Sequence, residues 1–437
     1  MRSTVGMTLV AAITGAVALA GCSGGTNVPG GGSAGGGEDG GNSATLRLES
    51  WRPEDASVWT NKILPAFTKE HPDIKVQFAP TNANEYDAAM TSRFQGGSAG
   101  DLITCRSYEL NRAVIRKGYL EPIAGLKGLD QFDKVALDTW ADDKGKPYCV
   151  PAASVMAGFF YNKDIFDKLG LKPPQTQDEF IQVLKRIKAD GKYAPLAMGG
   201  AGADAWTLSY MGLDSIGPNY WHGMDGYNGL QDGKMKATDP QFVAAFKALD
   251  SWKPYLPKGF ASVTYADATQ MFALGKAAIF PSGSWDINAV TANGLKVGVF
   301  GPPVAHAGDQ RYLQDHPDMG IGINAASKHK AAARTFLEWV ASPKFQTLYA
   351  NALPGFFGMS KATVKLQNGL AQDWLSLRDG AKLSPRLGLD KMAVGNPNWE
   401  TKVEPLLDKM LTGALSPEQV AAQMQHTLET SYKPQQQ

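Results

Sequence analysis

Residues 45–51, Thr45-Leu46-Arg47-Leu48-Glu49-Ser50-Trp51, alternate apolar and polar side chains, the pattern of a strand with one packed face. The period then changes. From Ser57 to Glu70, the residues Val58, Ile63, Leu64 and Phe67 fall on one face of a helix. Ile74 to Phe78 returns to strand, Tyr86 to Phe94 to helix, and Asp101 to Thr104 to a third short strand. Strands alternating with helices build βαβ units, so this stretch predicts an α/β fold with a mainly parallel sheet covered by helices on both faces.

Working downstream, the rhythm continues. Tyr148-Cys149-Val150-Pro151 and Ala157 to Tyr161 read as extended. Gln177 to Asp190 is a helix with Phe180, Val183, Leu184 and Ile187 on one stripe, opened by a Thr176–Glu179 capping box. Pro240 to Trp252 is helical with Asp239 as its cap, Ala266 to Leu274 is helical, and Ala277 to Phe280 is a strand. Ala331 to Ala341 forms a helix, and Glu400 to Leu428 is helical with a break at Gly413 and a new cap at Ser416. No repeat of fixed period is present.

Working upstream, Arg2, the apolar run from Val5 to Leu19 and the ending Leu19-Ala20-Gly21-Cys22 have the order of a secretory leader. The ending resembles the bacterial lipobox, in which the Cys22 thiol takes a diacylglycerol and, with a further acyl chain such as palmitate, holds the protein on a membrane. Residues 1–21 are thus expected to be a lipoprotein signal peptide. Residues 22–44 read as a flexible Gly- and Ser-rich linker with a reach on the order of 25 Å. The expected location is the extracytoplasmic face of the cell membrane.

The remaining chain is long enough for two domains. With 43 basic and 42 acidic residues the whole sequence carries almost no net charge, which argues against nucleic acid as a partner. After the leader no apolar run reaches the length of a membrane span. Six His without an HxxxH pair give no metal site, and no cofactor is expected. Cys105 and Cys149 remain after Cys22; export permits a disulfide between them, and two buried free thiols are the alternative.

Several stretches together resemble the extracellular solute-binding proteins of bacterial ABC sugar importers, the family that includes maltose-binding protein. They are Leu64-Pro65-Ala66-Phe67 with His71-Pro72-Asp73-Ile74, Gly100-Asp101-Leu102, Gly118-Tyr119-Leu120-Glu121-Pro122, and Tyr148 to Pro151 with Phe160-Tyr161-Asn162-Lys163-Asp164. Pro173 to Phe180, Phe272 to Ala278, Gly283-Ser284-Trp285 and Ala332 to Trp339 complete the set. At Gly100-Asp101-Leu102 the family usually carries Pro-Asp-Val or Pro-Asp-Ile. The resemblance implies a two-lobed periplasmic-binding-protein-like fold of type II, with a hinge of two or three crossings and a ligand cleft between the lobes. On this reading lobe 1 comprises 45–152 plus about 300–350, and lobe 2 comprises 153–299 plus about 351–432. The implied protein is a monomer that closes on a sugar and docks on an ABC permease, with no bond made or broken.

A neutral sugar presents C–H faces that stack on aromatic rings and hydroxyls that need paired donors and acceptors. Trp beside an acidic residue at a strand end is therefore the pattern to look for, and it occurs three times. Trp51, Arg52 and Glu54 follow the first strand; Asp204 and Trp206 follow the run Pro195 to Met198; Trp285 and Asp286 follow Ala277 to Phe280. Arg106 and Tyr108, Phe356 and Trp399 are further ligand candidates on later loops. Trp252, Trp339 and Trp374 lie in amphipathic helices and read as packing, and Asp101 as a loop support. The number of Trp candidates points to an oligosaccharide.

Two other readings compete. A secreted glycan-active enzyme would need two carboxylates at a fixed separation. Gly96-Gly97-Ser98-Ala99-Gly100 matches GxSxG but has a helix before it and a strand after, the reverse of a nucleophile elbow. Gly200 to Ala205 matches GxGxxA without the βαβ setting of a dinucleotide site. The second rival is the same fold holding a non-sugar solute. A polyamine would need more carboxylates, and an anion more cations or open helix N-termini.

Overall fold

The structure is a computed structural model that describes residues 44–388, 390–394 and 398–436. The leader, Cys22, the linker up to residue 43, and Asn396 and Pro397 lie outside the described residues. No helix among the described residues is long and apolar enough to cross a membrane.

Among the described residues there are ten strands: β1 Ala44–Ser50, β2 Ile74–Pro80, β3 Leu102–Cys105, β4 Leu120–Glu121, β5 Cys149–Asn162, β6 Ala194–Leu196, β7 Ala277–Gly283, β8 Val297–Phe300, β9 Tyr312–Asn324 and β10 Lys382–Ser384. Their main path runs β2-β1-β3-β9-β5-β7-β6. The flanks are parallel, β1 with β2 and β3 at one end and β6 with β7 at the other, as βαβ units require. The middle is not. β9 runs antiparallel to β3 and β5, and β5 antiparallel to β7 and β8, so the expectation of a mainly parallel sheet holds at the two ends and for β10 beside β9, but not along the centre of the main path.

The two extended runs 148–151 and 157–161 are one strand of 14 residues, buried along almost its whole length, which is why it reads as a continuous apolar run instead of an alternation. Its first half pairs with β9 and its second half with β7 and β8, with register shifts between Pro151 and Ser154. Such irregularities bend a strand. β5 and β9 thus carry the chain between two half-sheets, and the packing follows. Val155 belongs to the core built on β1, β3 and the helix Lys330–Val340, whereas Met156 belongs to a core built on β7 and the helix Tyr265–Ala273. Phe356 and Phe357 divide in the same way, and on β9 so do Met319 and Leu313. The architecture is α/β, in two lobes, and the chain crosses between the core built on β1 and β3 and the remaining cores at Val155/Met156, between Leu313 and Met319, and at Phe356/Phe357.

The sulfurs of Cys105 on β3 and Cys149 on β5 are joined, although β9 lies between those strands. The bridge passes over Gly322 of β9, where a Cβ would lie 2.9 Å from one sulfur and 3.1 Å from the other. Local signals explain the helix boundaries. Thr176 and Glu179 exchange both bonds of a capping box ahead of Gln177–Asp190, and Ser416 with Gln419 does the same ahead of Pro417–Ser431. Asp239 is the exception: its carboxylate accepts from the Lys236 N–H at 2.9 Å and does not cap the helix Pro240–Asp250. Trp252, Trp339 and Trp374 are buried packing residues, and Trp374 lies so close to Gly158 of β5 that a Cβ there would sit 3.0 Å from its ring. Asp101 supports its loop by accepting from the Arg47 N–H and the Ser327 hydroxyl.

Candidate functional site

Two walls face each other near the chain crossings. The first follows β1. Trp51 is buried, edge-on to Tyr86 with ring centroids 5.5 Å apart, and the Arg106 guanidinium lies 4.3 Å over its ring. Arg106 is steadied by Asp87 and the Ala83 carbonyl. Arg52 turns its guanidinium onto Asp55 at 2.5 Å and Glu54 at 3.1 Å, and lies 4.7 Å over the Phe356 ring. Burial alone would lower its basicity; the Asp55 and Glu54 carboxylates outweigh that and raise it, so the group stays charged.

The second wall is built from the loops after β6 and β7. Gly283, at the end of β7, leaves room for the Trp285 ring to fold back: any Cβ there would overlap the indole. The Asp286 carboxylate accepts from the Tyr265 hydroxyl at 2.6 and 2.7 Å and from the Ser282 hydroxyl. Burial pushes Asp286 up to about 6; the hydrogen bonds from Ser282 and Tyr265 and the charge of Arg52 oppose that rise. The Trp285 Nε1–H donates to the Tyr265 hydroxyl at 2.9 Å. Trp206 stands edge-on to Tyr265 at 5.1 Å, and Tyr210 lies 6.3 Å from Trp206 and 5.1 Å from Trp285. Trp206, Tyr265 and Trp285 are each only half-buried, so they keep apolar face open to a ligand.

Groups on β9 and near the C-terminus complete the second wall from behind. The Tyr210 hydroxyl is 3.5 Å from His316 Nε2, and that ring nitrogen is 3.7 Å from Asp318. Burial would raise the Asp318 carboxyl, but His316 and the charges of Arg106 and Arg52 hold it below its ordinary value. Asp318 therefore feels both arginines of the first wall, as Asp286 feels Arg52. Behind Tyr210, Arg386 lies 4.4 Å over the ring and pairs with Glu400 at 2.6 Å. One further bond joins the walls: the Asn84 amide donates to Asp204 at 2.8 Å.

Of the residues singled out from the sequence, the structure brings together Trp51, Arg52 and Arg106 on one wall and Trp206, Trp285 and Asp286 on the other. Glu54 is exposed at the rim, paired with Arg52. Tyr108 stands apart: it opens the helix Tyr108–Arg116 in a left-handed conformation (φ 55°), beside a 2.7 Å Arg112–Asp390 contact. Burial, with Asp390 adding to it, pushes its phenol up to about 12. Phe356 is buried beneath Arg52 and supports it. Trp399 lies in the C-terminal core; its neighbour Glu400 is the one that reaches Arg386. The sequence reading missed Tyr86, Tyr210, Tyr265, His316, Asp318 and Arg386. Tyr210 had a usable signal, since it lies four residues after Trp206; Tyr265, 20 residues before Trp285, had none. His316 and Asp318 had none, because His316-Pro317-Asp318 interrupts the apolar pattern of β9.

The motif matches resolve into structure. The N–H groups of Gly200 and Ala201 both donate to the Val263 carbonyl, at 3.0 and 3.1 Å, and are not free to cradle a phosphate. Gly96 to Gly100 lies between the helix Ala83–Gln95 and β3, the wrong order for a nucleophile elbow. What the walls offer is half-open aromatic face next to fixed acceptors and charge-compensated donors, an arrangement for holding a polyhydroxylated solute.

Known proteins agree with this architecture. The chain is 26% identical over 296 residues to a multiple sugar-binding protein of Streptococcus mutans, covering 66% of this chain and 69% of that protein. A solved chitin oligosaccharide binding protein superposes with a TM-score of 0.77 at 22% identity, over 90% of this chain and 99% of that one. A solved complex of RafE with raffinose superposes with a TM-score of 0.71 at 23% identity, over 87% and 98%. The family described as bacterial extracellular solute-binding protein matches residues 50–347, more than half of the chain. The protein belongs to that family of binding proteins, and not to a family of enzymes.

Proposed function

We propose that this protein is the substrate-binding component of an ABC importer, that it binds a neutral oligosaccharide between its lobes, and that a lipid on Cys22 holds it on the extracytoplasmic face of the cell membrane. The observation that carries the sugar reading is the second wall, where half-open Trp206, Tyr265 and Trp285 stand around the Asp286 acceptor. Charge balance supports a neutral ligand: Arg52, Arg106 and Arg386 each already face a carboxylate. The sugars named for similar proteins, raffinose and chitin oligosaccharide among them, point the same way.

The lobes divide, on this proposal, where the cores change. Lobe 1 takes residues 44–155 and about 319–356, and lobe 2 takes 156 to about 313 and 357–436, so the second crossing falls on β9, later than residue 300. Trp51, Arg52 and Arg106 then stand on one lobe, and Trp206, Trp285 and Asp286 on the other. A ligand touching both favours the closed form by as much as it binds that form better. The closed monomer is the form that docks on a permease.

The test is a thermal-shift screen of the mature chain carrying Cys22→Ser against mono- and oligosaccharides, polyamines, amino acids and phosphate. A ligand at a hundredfold excess over its Kd adds about 2.7 kcal/mol, a shift of a few degrees. A sugar is expected to give it. A shift with amines or anions alone would overturn the sugar reading. The anchor is tested separately: Cys22→Ser is expected to release the protein from cells into the medium, and retention on the membrane would refute it.

A further inference from the structure

Trp206 and Trp285 come from loops about 80 residues apart, and both pack on Tyr210, but Tyr265 alone of the two tyrosines also hydrogen-bonds one of them. Tyr265 presents the edge of its ring to Trp206 at 5.1 Å, and its hydroxyl accepts from the Trp285 indole at 2.9 Å while donating to Asp286. Its own position is over-determined. It is the first residue of the helix Tyr265–Ala273, preceded by a capping box between Thr264 and Asp267, and its backbone N–H donates to Asp204 at 2.9 Å. The other oxygen of that Asp204 carboxylate holds Asn84 from across the cleft.

We propose that Tyr265 is a positioning residue of the sugar-binding wall: its hydroxyl, set between the Trp285 indole and the Asp286 carboxylate, fixes the angle between the two tryptophan faces and keeps Asp286 an acceptor for a ligand hydroxyl. This rests on the sugar-binding reading of the site and names what orders it. A bond to a charged group in a buried setting is among the stronger side-chain hydrogen bonds, so losing it leaves both partners under-satisfied. The phenol stays protonated, because burial and then Asp286 raise its pKa well above the ordinary value, and it can therefore donate. Four groups face Asp286: Ser282 from β7, Tyr265 from its helix, and the charges of Arg52 and Glu54 from the first wall. Removing the Tyr265 hydroxyl removes one of the groups that favour the carboxylate, so Asp286 must titrate at higher pH in the variant.

The experiment is Tyr265→Phe, which keeps the ring and its contact with Trp206. Two readouts are used, one of which needs no ligand. The tryptophan emission of the ligand-free protein is followed from pH 4 to 9. Its transition is expected near 6 in the wild type, higher in Tyr265→Phe, and absent in Asp286→Asn, which assigns it. A transition at the same pH in wild type and Tyr265→Phe overturns the proposal. Any sugar that shifts the wild type in the thermal screen is then titrated calorimetrically. Its Kd is expected to rise about tenfold in Tyr265→Phe, and Tyr265→Phe with Asp286→Asn together to cost less than the sum of the two. An unchanged Kd, or strict additivity, overturns the proposal. A failed sugar screen with the emission shift intact would instead refute the ligand reading and leave Tyr265 as the positioning residue of that wall.

Discussion

The two walls of the cleft are built from the same residue types and use them differently. On the first, Trp51 is 4% exposed and covered by Arg106 and Tyr86, and Arg52 is locked to a buried Asp55. On the second, Trp206 and Trp285 stay partly exposed, and the acid beside them is held by hydroxyls and not by a cation in contact. A Trp already stacked under a guanidinium offers a ligand little apolar face; one hung from a glycine-lined loop offers a great deal. The first wall is thus organised for charge and stability, and the second, on the proposed function, for stacking.

That contrast is breakable by experiment. Arg52→Met should have the largest effect, and on stability: it strands the buried Asp55 and removes the cover of Phe356, at a cost of about 3 kcal/mol. Urea unfolding reads it, and a loss near zero would mean that the first wall is as loosely built as the second. Trp285→Ala should do the reverse. Sugar affinity drops about a hundredfold as the stacking face goes, worth about 2.7 kcal/mol, while the unfolding midpoint moves much less. Calorimetry with unchanged Kd would sink the assignment of stacking to this wall.

The third prediction concerns pH. Asp286 is pushed up to about 6 by burial, and Glu404, behind Tyr210, up to about 7 by burial and then by Glu400. Asp214 rises well above its ordinary value for the same two reasons. A carboxyl whose folded pKa lies above its unfolded one stabilises the fold below the unfolded value and loses that contribution as pH rises through the folded value. Unfolding free energy should therefore fall between about pH 4 and 7 by on the order of 2 kcal/mol, and Glu404→Gln should flatten the part approaching 7. A flat profile over that range would show that these acids are ionised in the native state as they are in the unfolded one. The smallest effect is expected from Trp399→Phe, which trims a core residue away from both walls: about 1 kcal/mol of stability and no change in sugar affinity. A tenfold loss of affinity would return Trp399 to the site.

Much of the candidate site was legible because strand ends are legible. Trp51, Trp206 and Trp285 were found by asking which aromatic residues follow an apolar run beside an acid, and open α/β sheets put their ligand loops at such ends. Phe356 and Trp399 satisfied the weaker rule of lying in a late loop, and packing claimed them instead. The second rank of the site was hidden. Tyr265 sits where a helix cap explains its neighbours, and His316 with Asp318 sits in a strand that local pattern does not reveal.

The local events follow from neighbouring residues: strand and helix periods, the capping boxes at Thr176 and Ser416, the break at Gly413, and a two-domain length with no charge excess. These depend on residues within a few positions of each other, so the pattern carries them. Tertiary structure alone decided that β5 is one strand serving two half-sheets, that Cys105 reaches Cys149 over Gly322, and that Val155 and Met156, adjacent in the chain, pack in different cores. It also decided which tryptophans stay open. Each of those outcomes depends on what arrives from more than 40 residues away, and burial is set by that arrival and not by the residue's own neighbours.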